Sequence, residues 1–287
     1  MRDLIKDYIR LTKPWIMILL LITAFGGMVV AAETLPPVNL IVVVMFGGAM
    51  AAGGAGALNH ALEQNVDRKM RRTETRPVAG GRISRRKATV FGLSLNVGAF
   101  VLLWIGANPF SAMLAISGTL LYVIVYTQWL KHSTVQNVVI GGAGGAIPPL
   151  VGWAAVTGGL TLPAYYLFAM VFFWTPPHFW ALALLIKDDY AAAGVPMLPV
   201  VAGDAVARWA ILLYSCLLLP LSILFCLSTE SLGGGFLVGA TVLGAMFIVY
   251  ALRLWLNPSR ILTAKVYRYS LIYLPLLFGL AMVDSVV

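Results

Sequence analysis

Residues 38–77 read VNLIVVVMFGGAMAAGGAGALNHALEQNVDRKMRRTETRP, an apolar run that passes directly into a strongly charged segment. A helix needs about 20 apolar residues to cross the hydrocarbon core of a bilayer. Residues 38–58 are therefore predicted to span a membrane. The charged residues that follow must then lie at one membrane surface, where a polar ligand can reach them.

The composition of the whole chain favours a membrane protein. Of its 287 residues, 60% are hydrophobic and only 11% are charged, whereas soluble domains carry about a quarter charged residues. The net charge of +9 does not indicate a nucleic-acid partner, because the basic residues are grouped in the loops between apolar segments. Cys216 and Cys226 lie in one apolar run, at a spacing that suits neither a zinc site nor a disulfide framework.

Nine apolar segments are each close to the length that a spanning helix requires. Their approximate bounds are 15–32, 38–58, 88–107, 109–130, 135–156, 163–186, 206–228, 233–256 and 269–286. A bilayer requires every backbone amide to be paired within its own segment, and no long hydrophilic stretch interrupts the pattern. We predict an all-α polytopic membrane protein, a single domain over residues 1–287 that forms a bundle of nine transmembrane helices.

The positions of the basic residues predict the orientation of this bundle. With nine spans, all 20 Lys and Arg residues fall on the N-terminal side of the membrane, and the opposite side carries only Glu33, Glu230 and Asp284. Cytoplasmic loops are enriched in Lys and Arg, so we expect a cytoplasmic N-terminus and a C-terminus on the outer side. Residues 1–15 mix both charge signs and show no cleavage pattern, so we expect no removable signal peptide there.

The first large cytoplasmic loop, residues 59–87, begins with polar residues in helical register. If the preceding helix continues, Asn59, Glu63 and Asp67 lie at i, i+4 and i+8 on one face. Carboxylates this close repel each other unless a cation lies between them, and Mg²⁺ prefers hard oxygen ligands. The bases that follow are Arg68, Lys69, Arg71, Arg72 and Arg76. Arg side chains match phosphate oxygens, so the loop predicts a magnesium and diphosphate site, although membrane topology alone would also place bases here.

A second cytoplasmic loop, residues 187–205, begins with Lys187, Asp188, Asp189 and Tyr190. Its acidic pair could bind a second magnesium ion or the other side of one diphosphate, and the alternative is an ordinary solvated helix end. His178 lies in the predicted span before this loop. Polar side chains at membrane depth are costly and tend to mark functional sites. His178 could ligate iron, act as a base or hydrogen-bond a neighbouring helix.

Three stretches resemble motifs of a known family. They are DRKMRRTETRP (residues 67–77), YTQWLKHSTVQNVVIGGAGGAIPPLVGWAAVTG (126–158) and WTPPHFWALALLIKDDYAAAGVPMLPVV (174–201). They are similar to the intramembrane, UbiA-type prenyltransferase superfamily and, within it, to the protoheme IX farnesyltransferase (heme O synthase) branch. The resemblance implies a Mg²⁺-dependent, multi-pass enzyme of the cell (inner) membrane with its active site on the cytoplasmic side.

The activity that this resemblance implies is transfer of a farnesyl group from farnesyl diphosphate to a vinyl group of heme b. Water adds in the same reaction and gives heme O for heme–copper oxidase assembly. Heme b is then a substrate and not a cofactor. The other implied partners are the lipid bilayer and heme A synthase.

The resemblance also implies roles for individual residues. The superfamily's first acidic motif falls on Asn59, Glu63 and Asp67, with Glu where the superfamily has Asp. In the second motif Asp188 is present, but Ala192 replaces the usual second acid. The implied magnesium ligands are Asn59, Glu63, Asp67 and Asp188. The implied catalytic residues are Asn59, Glu63, Asp67, Lys131 and Lys187. The implied substrate-binding residues are Arg68, Lys69, Arg72, Arg76, His178, Asp189 and Tyr190, with His178 in contact with heme.

Two other functions fit parts of the pattern. A sibling prenyltransferase acting on an aromatic acceptor such as 4-hydroxybenzoate would share the diphosphate half of the site and differ in the acceptor pocket. A transporter or channel would carry polar residues at mid-depth in several helices, whereas here the charges are concentrated at one membrane surface.

Overall fold

A computed structural model describes residues 2–287, and every regular element in that range is helical. Nine helices of that range are long and apolar enough to cross a membrane. After the N-terminal helix α1 (Arg2–Leu11), they are α2 (Pro14–Ala32), α3 (Val38–Leu62), α4 (Arg85–Gly106), α5 (Pro109–Ser133), α6 (Asn137–Thr157), α7 (Leu162–Leu185), α8 (Asp204–Leu227), α9 (Gly234–Leu256) and α10 (Arg260–Asp284). The prediction of an all-α bundle with nine spanning helices is therefore confirmed for the described residues.

The observed bounds agree with the predicted ones to within a few residues, except at the start of α10. This helix begins at Arg260 instead of near residue 269, and Ser259 caps its first turn. Its first turns carry Arg260, Lys265 and Arg268. These bases lower the local hydropathy, so the predicted span began after them. A helix can still carry basic residues where it leaves the membrane, because their long side chains reach water.

Glycines let α3 approach its neighbours closely. At Gly56 an added Cβ would lie 2.9 Å from the backbone oxygen of Leu11, at the end of α1. At Gly54 it would lie 2.7 Å from the backbone oxygen of Gly92 in α4. Small residues permit this kind of helix contact in membranes. The glycine-rich part of α3 therefore lets α1 pack close to α3, the helix whose end carries the acidic motif.

Helix α5 is not a regular α-helix throughout its length. Residues Leu121–Leu130 are wound as a π-helix, and the Thr127 hydroxyl donates to the Tyr122 carbonyl at 2.8 Å. Wider turns of this kind are frequent at functional sites. Here the π-helical segment lies against the end of α3, since the Asn59 amide donates to Thr127 Oγ1 at 3.1 Å.

Candidate active site

The acidic motif lies where α3 ends. The helix stops at Leu62, and Glu63 leads into a single short helical turn, Gln64–Asp67. The hydrogen bonds from Glu63 N to Asn59 O (2.9 Å) and from Asp67 N to Glu63 O (2.8 Å) bridge this interruption. The spacing of four residues is therefore kept. All three side chains are buried, with between 1% and 3% of their surface exposed.

Asn59 is held by groups that are distant in the sequence. Lys13, which precedes α2, donates to Asn59 Oδ1 at 2.5 Å and to the Tyr122 hydroxyl at 3.1 Å. The Lys13 backbone has φ 52° and ψ 57°, the left-handed region that non-glycine residues seldom adopt. Such strained residues cluster at functional sites. Burial, reinforced by Arg76, lowers the pKa of Lys13 to about 7.

The two carboxylates of the motif are each paired with one cation. Lys131, near the end of α5, forms an ion pair with Glu63. Arg76 donates through Nη1 to both Asp67 oxygens, at 2.8 and 3.0 Å. Burial by itself would raise the pKa of Glu63, but the Lys131 and Lys13 ammonium groups outweigh it and hold that pKa below its usual value. Glu63 is therefore ionised, and the motif is surrounded by cationic side chains from three parts of the chain.

The two polar loops, residues 59–87 and 187–205, meet through a small apolar cluster. Val66 and Met70 of the first loop pack with Tyr190, Val195 and Met197 of the second. Tyr190 is 5% exposed. Burial raises the pKa of its hydroxyl, and the nearby Tyr126, Arg72, Lys131 and Glu63 also act on it. Tyr190 therefore brings the second loop next to the Glu63–Lys131 pair.

The other residues predicted for the site lie at its edge or away from it. Arg68 donates to the Ala79 carbonyl at 3.0 Å, with Lys69 exposed beside it. Asp188 is exposed and Asp189 is partly buried. Lys187 forms an ion pair with Asp204, at the start of α8, at 2.7 Å. A role for Lys187 at a diphosphate therefore requires this exposed pair to open.

His178 lies deeper in α7, which continues unbroken through Pro176 and Pro177. Its Nδ1 lies 2.7 Å from the Ser270 hydroxyl of α10. Ser270 donates its only hydroxyl proton to the Tyr267 carbonyl at 2.6 Å, so Nδ1 of His178 must be the donor in the bond that they share. The neutral ring then carries its lone pair on Nε2. The rings of Trp174 and Tyr267 stack on it at 4.6 and 5.0 Å.

Several residues of the site gave no signal in the sequence. Lys13 looked like one of many bases at the membrane surface, and Tyr122 and Thr127 are ordinary residues of an apolar helix. His60, the residue after Asn59, is 2% exposed and was also not singled out. Only the fold brings these residues to the end of α3. The strained backbone of Lys13 is visible in the structure but not in the sequence.

Comparison with known proteins adds a family assignment to this geometry. A model of the UbiA prenyltransferase family matches residues 20–274. The chain is 48% identical over 286 residues to a protoheme IX farnesyltransferase of Chloroflexus aurantiacus, covering 100% of this chain and 49% of that protein. It is 46% identical to the protoheme IX farnesyltransferase of Synechocystis sp., covering 98% of this chain and 89% of that protein. The chain thus spans about half the length of the first of these relatives.

Solved structures share the architecture at low sequence identity. A structure of digeranylgeranylglyceryl phosphate synthase matches with a TM-score of 0.81 and 19% identity, over 100% of this chain and 99% of that one. A UbiA homolog from Archaeoglobus fulgidus bound to GPP and Mg²⁺ matches with a TM-score of 0.68 and 15% identity, over 96% of this chain and 99% of that one. These likenesses establish the fold.

Proposed function

The chain belongs to the UbiA prenyltransferase family, and from this premise we propose that it transfers the farnesyl group of farnesyl diphosphate to a vinyl group of heme b. Water adds in the same reaction, and the product is heme O. One observation carries the proposal. Three buried oxygen-bearing side chains, each bonded to one basic side chain, lie beside a second loop that also bears acids. The names of the relatives favour heme b as the acceptor.

The donor set fits a magnesium ion that shares its coordination with a substrate. Asn59, Glu63 and Asp67 offer hard oxygen atoms, which Mg²⁺ prefers. Among residues 2–287 no group of three or more His, Cys, Asp or Glu side chains is placed to hold a metal by itself. Mg²⁺ is rarely held by protein groups alone and usually keeps water and phosphate oxygens. We propose that Asn59, Glu63, Asp67 and Asp188 hold the ion, as the Mg²⁺ bound with GPP in the Archaeoglobus fulgidus homolog also suggests.

The cations of the site would exchange partners when the diphosphate binds. Lys131 and Arg76 now neutralise Glu63 and Asp67, and Lys13 donates to the Asn59 amide oxygen. Phosphate oxygens form charge-assisted hydrogen bonds with such groups, so the three cations can turn to the diphosphate while the carboxylates turn to the ion. Bound magnesium would supply positive charge that makes the diphosphate a better leaving group. Each carboxylate would thus have a cationic partner both before and after binding.

The chemistry then needs electrostatic stabilisation and no protein nucleophile. The allylic C–O bond breaks, its electron pair leaves with the diphosphate, and Lys13, Lys131 and Arg76 stabilise the developing charge. The vinyl π electrons attack the allylic carbocation and form the new C–C bond. Water adds to the cation left on the former vinyl group and loses a proton, which gives the hydroxyl of the product.

The site is proposed to face the cytoplasm. The nine apolar helices indicate a multi-pass membrane protein, and the grouping of Lys and Arg on one side supports a cell (inner) membrane protein with that side in the cytoplasm. Both substrates have an apolar body and an anionic end, so a site at the membrane surface suits them. The interaction with heme A synthase stays a prediction.

The product tests the proposed function. Purified protein is incubated with heme b, farnesyl diphosphate and Mg²⁺, and the heme is analysed by mass spectrometry. We expect a heme that is heavier by one farnesyl group and one hydroxyl group. Prenylated 4-hydroxybenzoate from the alternative acceptor, with no change in the heme, would contradict the proposal.

His178 is proposed to contact the iron of heme b through Nε2. Iron-ligating histidines usually donate their other ring N–H to a partner that fixes the ring. The Ser270 hydroxyl would be this partner for His178. We expect Ser270→Ala to weaken heme binding by about tenfold or more, which is typical of the loss of such a partner, and to change the Soret band. Absorbance titration with heme b measures both.

Ser222→Ala is the matched control for this variant. Ser222 is buried in α8 and donates to the Leu218 carbonyl at 2.9 Å, so its removal also deletes a buried hydroxyl. We expect it to keep the affinity and the spectrum of the unchanged protein. If Ser270→Ala and His178→Ala both leave the Soret band unchanged, His178 is not a ligand.

A further inference from the structure

A basic cleft of about 490 Å³ adjoins the acidic motif on the side of α1. Its lining consists of Arg10, Lys13, His60, Thr75, Arg76, Pro77 and Arg82. Four of these seven residues are cations and none is an acid. The lining comes from the region around α1, the end of α3 and the first loop, with no contribution from the second loop. The cleft is therefore a different place from the contact between the two loops.

His60 is the buried polar group of this cleft. Its side chain is 2% exposed, and within residues 2–287 its Nδ1 has no hydrogen-bond partner. A buried nitrogen without a partner is costly. A ligand in the cleft that offers an oxygen atom to Nδ1 would remove this cost.

The cleft carries more positive charge than its surroundings neutralise. Arg82 donates to Asp7 Oδ2 at 2.8 Å and to the Thr75 carbonyl at 2.9 Å. Arg10 lies 3.7 Å from the other oxygen of the same carboxylate. Asp7 therefore orients two guanidinium groups but balances only one charge. The remaining charge favours an anionic ligand with oxygen atoms, which guanidinium groups bind well.

We propose that this cleft binds the carboxylate groups of the acceptor. This proposal rests on the proposed function, because it takes heme b as the acceptor. The diphosphate is assigned to the other side of the motif, toward Lys131 and the second loop. Lys13 and Arg76 line the cleft and also contact the motif, so they lie between the two ligands. Heme b brings two propionate carboxylates of its own, and its vinyl groups lie on the opposite edge of the macrocycle. Carboxylates held by Arg10 and Arg82 would leave the vinyl edge free to face the allylic carbon. His60 would donate a hydrogen bond from Nδ1 to the same carboxylates.

The test compares heme b with its dimethyl ester, which lacks both negative charges. Absorbance titrations give the affinity of each for the unchanged protein and for the double variant Arg10→Gln/Arg82→Gln. We expect the unchanged protein to bind heme b at least about tenfold more tightly than the ester, since each charge-assisted bond contributes substantially. The double variant is expected to bind the two with equal affinity and to bind farnesyl diphosphate as before.

Two further variants make the test specific. Arg85→Gln/Arg86→Gln removes the same charge from exposed residues at the start of α4, outside the cleft, and should keep the preference for heme b. The single variant Arg10→Gln changes a side chain that is 66% exposed, so it retains the fold even if loss of Arg82 does not. It should lose part of the preference.

Three results would overturn the assignment. They are an unchanged preference for heme b in both cleft variants, equal binding of heme b and its ester by the unchanged protein, and loss of farnesyl diphosphate binding with the preference intact. The last would assign the cleft to the diphosphate. None of these results depends on turnover. A protein that makes no farnesylated heme but shows the charge-dependent preference would contradict the proposed reaction and still support the cleft.

Discussion

Replacing Asp67 by Asn is expected to reduce the rate of farnesyl transfer by about 10²–10³-fold, the range found when one preorganised electrostatic group is removed from an active site. Asp67 is 2% exposed and accepts two hydrogen bonds from Arg76. Asn has nearly the same shape but no charge. It would bind magnesium more weakly than a carboxylate does and would leave Arg76 without its anionic partner. The rate is measured from the formation of farnesylated heme at saturating heme b.

The control for this variant is Glu74→Gln, which neutralises an exposed acid of the same loop. We expect it to keep the rate close to that of the unchanged protein. Heme b binding should be similar in both variants, since Asp67 is assigned to the diphosphate. A loss of heme binding in Asp67→Asn with intact binding of farnesyl diphosphate would contradict the assignment.

The second prediction concerns the buried pair of Lys131 and Glu63. Their side chains are 12% and 3% exposed, so Lys131→Met leaves a carboxylate buried without its closest cation. Removing one partner of a buried pair typically costs about 3–5 kcal/mol of stability. We therefore expect Lys131→Met to lower the unfolding temperature strongly and to abolish transfer. Thermal unfolding in detergent measures the first effect and product formation the second.

The double variant Glu63→Gln/Lys131→Met separates stability from catalysis. It leaves neither charge unpaired, so much of the lost stability should return, but the groups for magnesium and diphosphate are still missing and transfer should stay absent. Lys187→Met is the control for stability, because its pair with Asp204 is exposed and contributes about 0–1 kcal/mol. A double variant that is active, or no more stable than Lys131→Met, would contradict this account.

The fold followed from the sequence because the length of an apolar run is a local property. Each span required about 20 apolar residues, and the nine segments are visible without knowledge of their packing. The predicted start of α10 was too late for a local reason. Basic residues lower the hydropathy of a segment, but a helix can begin before them, as α10 does at Arg260. The exact end of α3 was not predicted: the helix runs to Leu62, past the predicted end at residue 58, and a separate turn carries Asp67.

The site followed from the sequence only in part. Acidic and basic residues are conspicuous in an apolar chain, so Glu63 and Asp67 were singled out. Asn59 was included because it shares their helical face. Their pairing with cations was not, because it depends on contacts across the fold. Lys13 lies 46 residues from Asn59 along the chain, and the π-helical winding of α5 has no clear sequence pattern. The ion pair between Lys187 and Asp204 was also not predicted. It depends on how the start of α8 is placed in the fold, which the sequence of the loop does not show.

Side chains from both loops and one divalent ion are proposed to hold the diphosphate together. The most direct measurement replaces Mg²⁺ by paramagnetic Mn²⁺, adds an unreactive thiolodiphosphate analogue of farnesyl diphosphate, and records the phosphorus hyperfine coupling of the bound metal. We expect coupling in the unchanged protein and its loss in both Asp67→Asn and Asp188→Asn. Bound manganese with undiminished phosphorus coupling in these two variants would contradict the account.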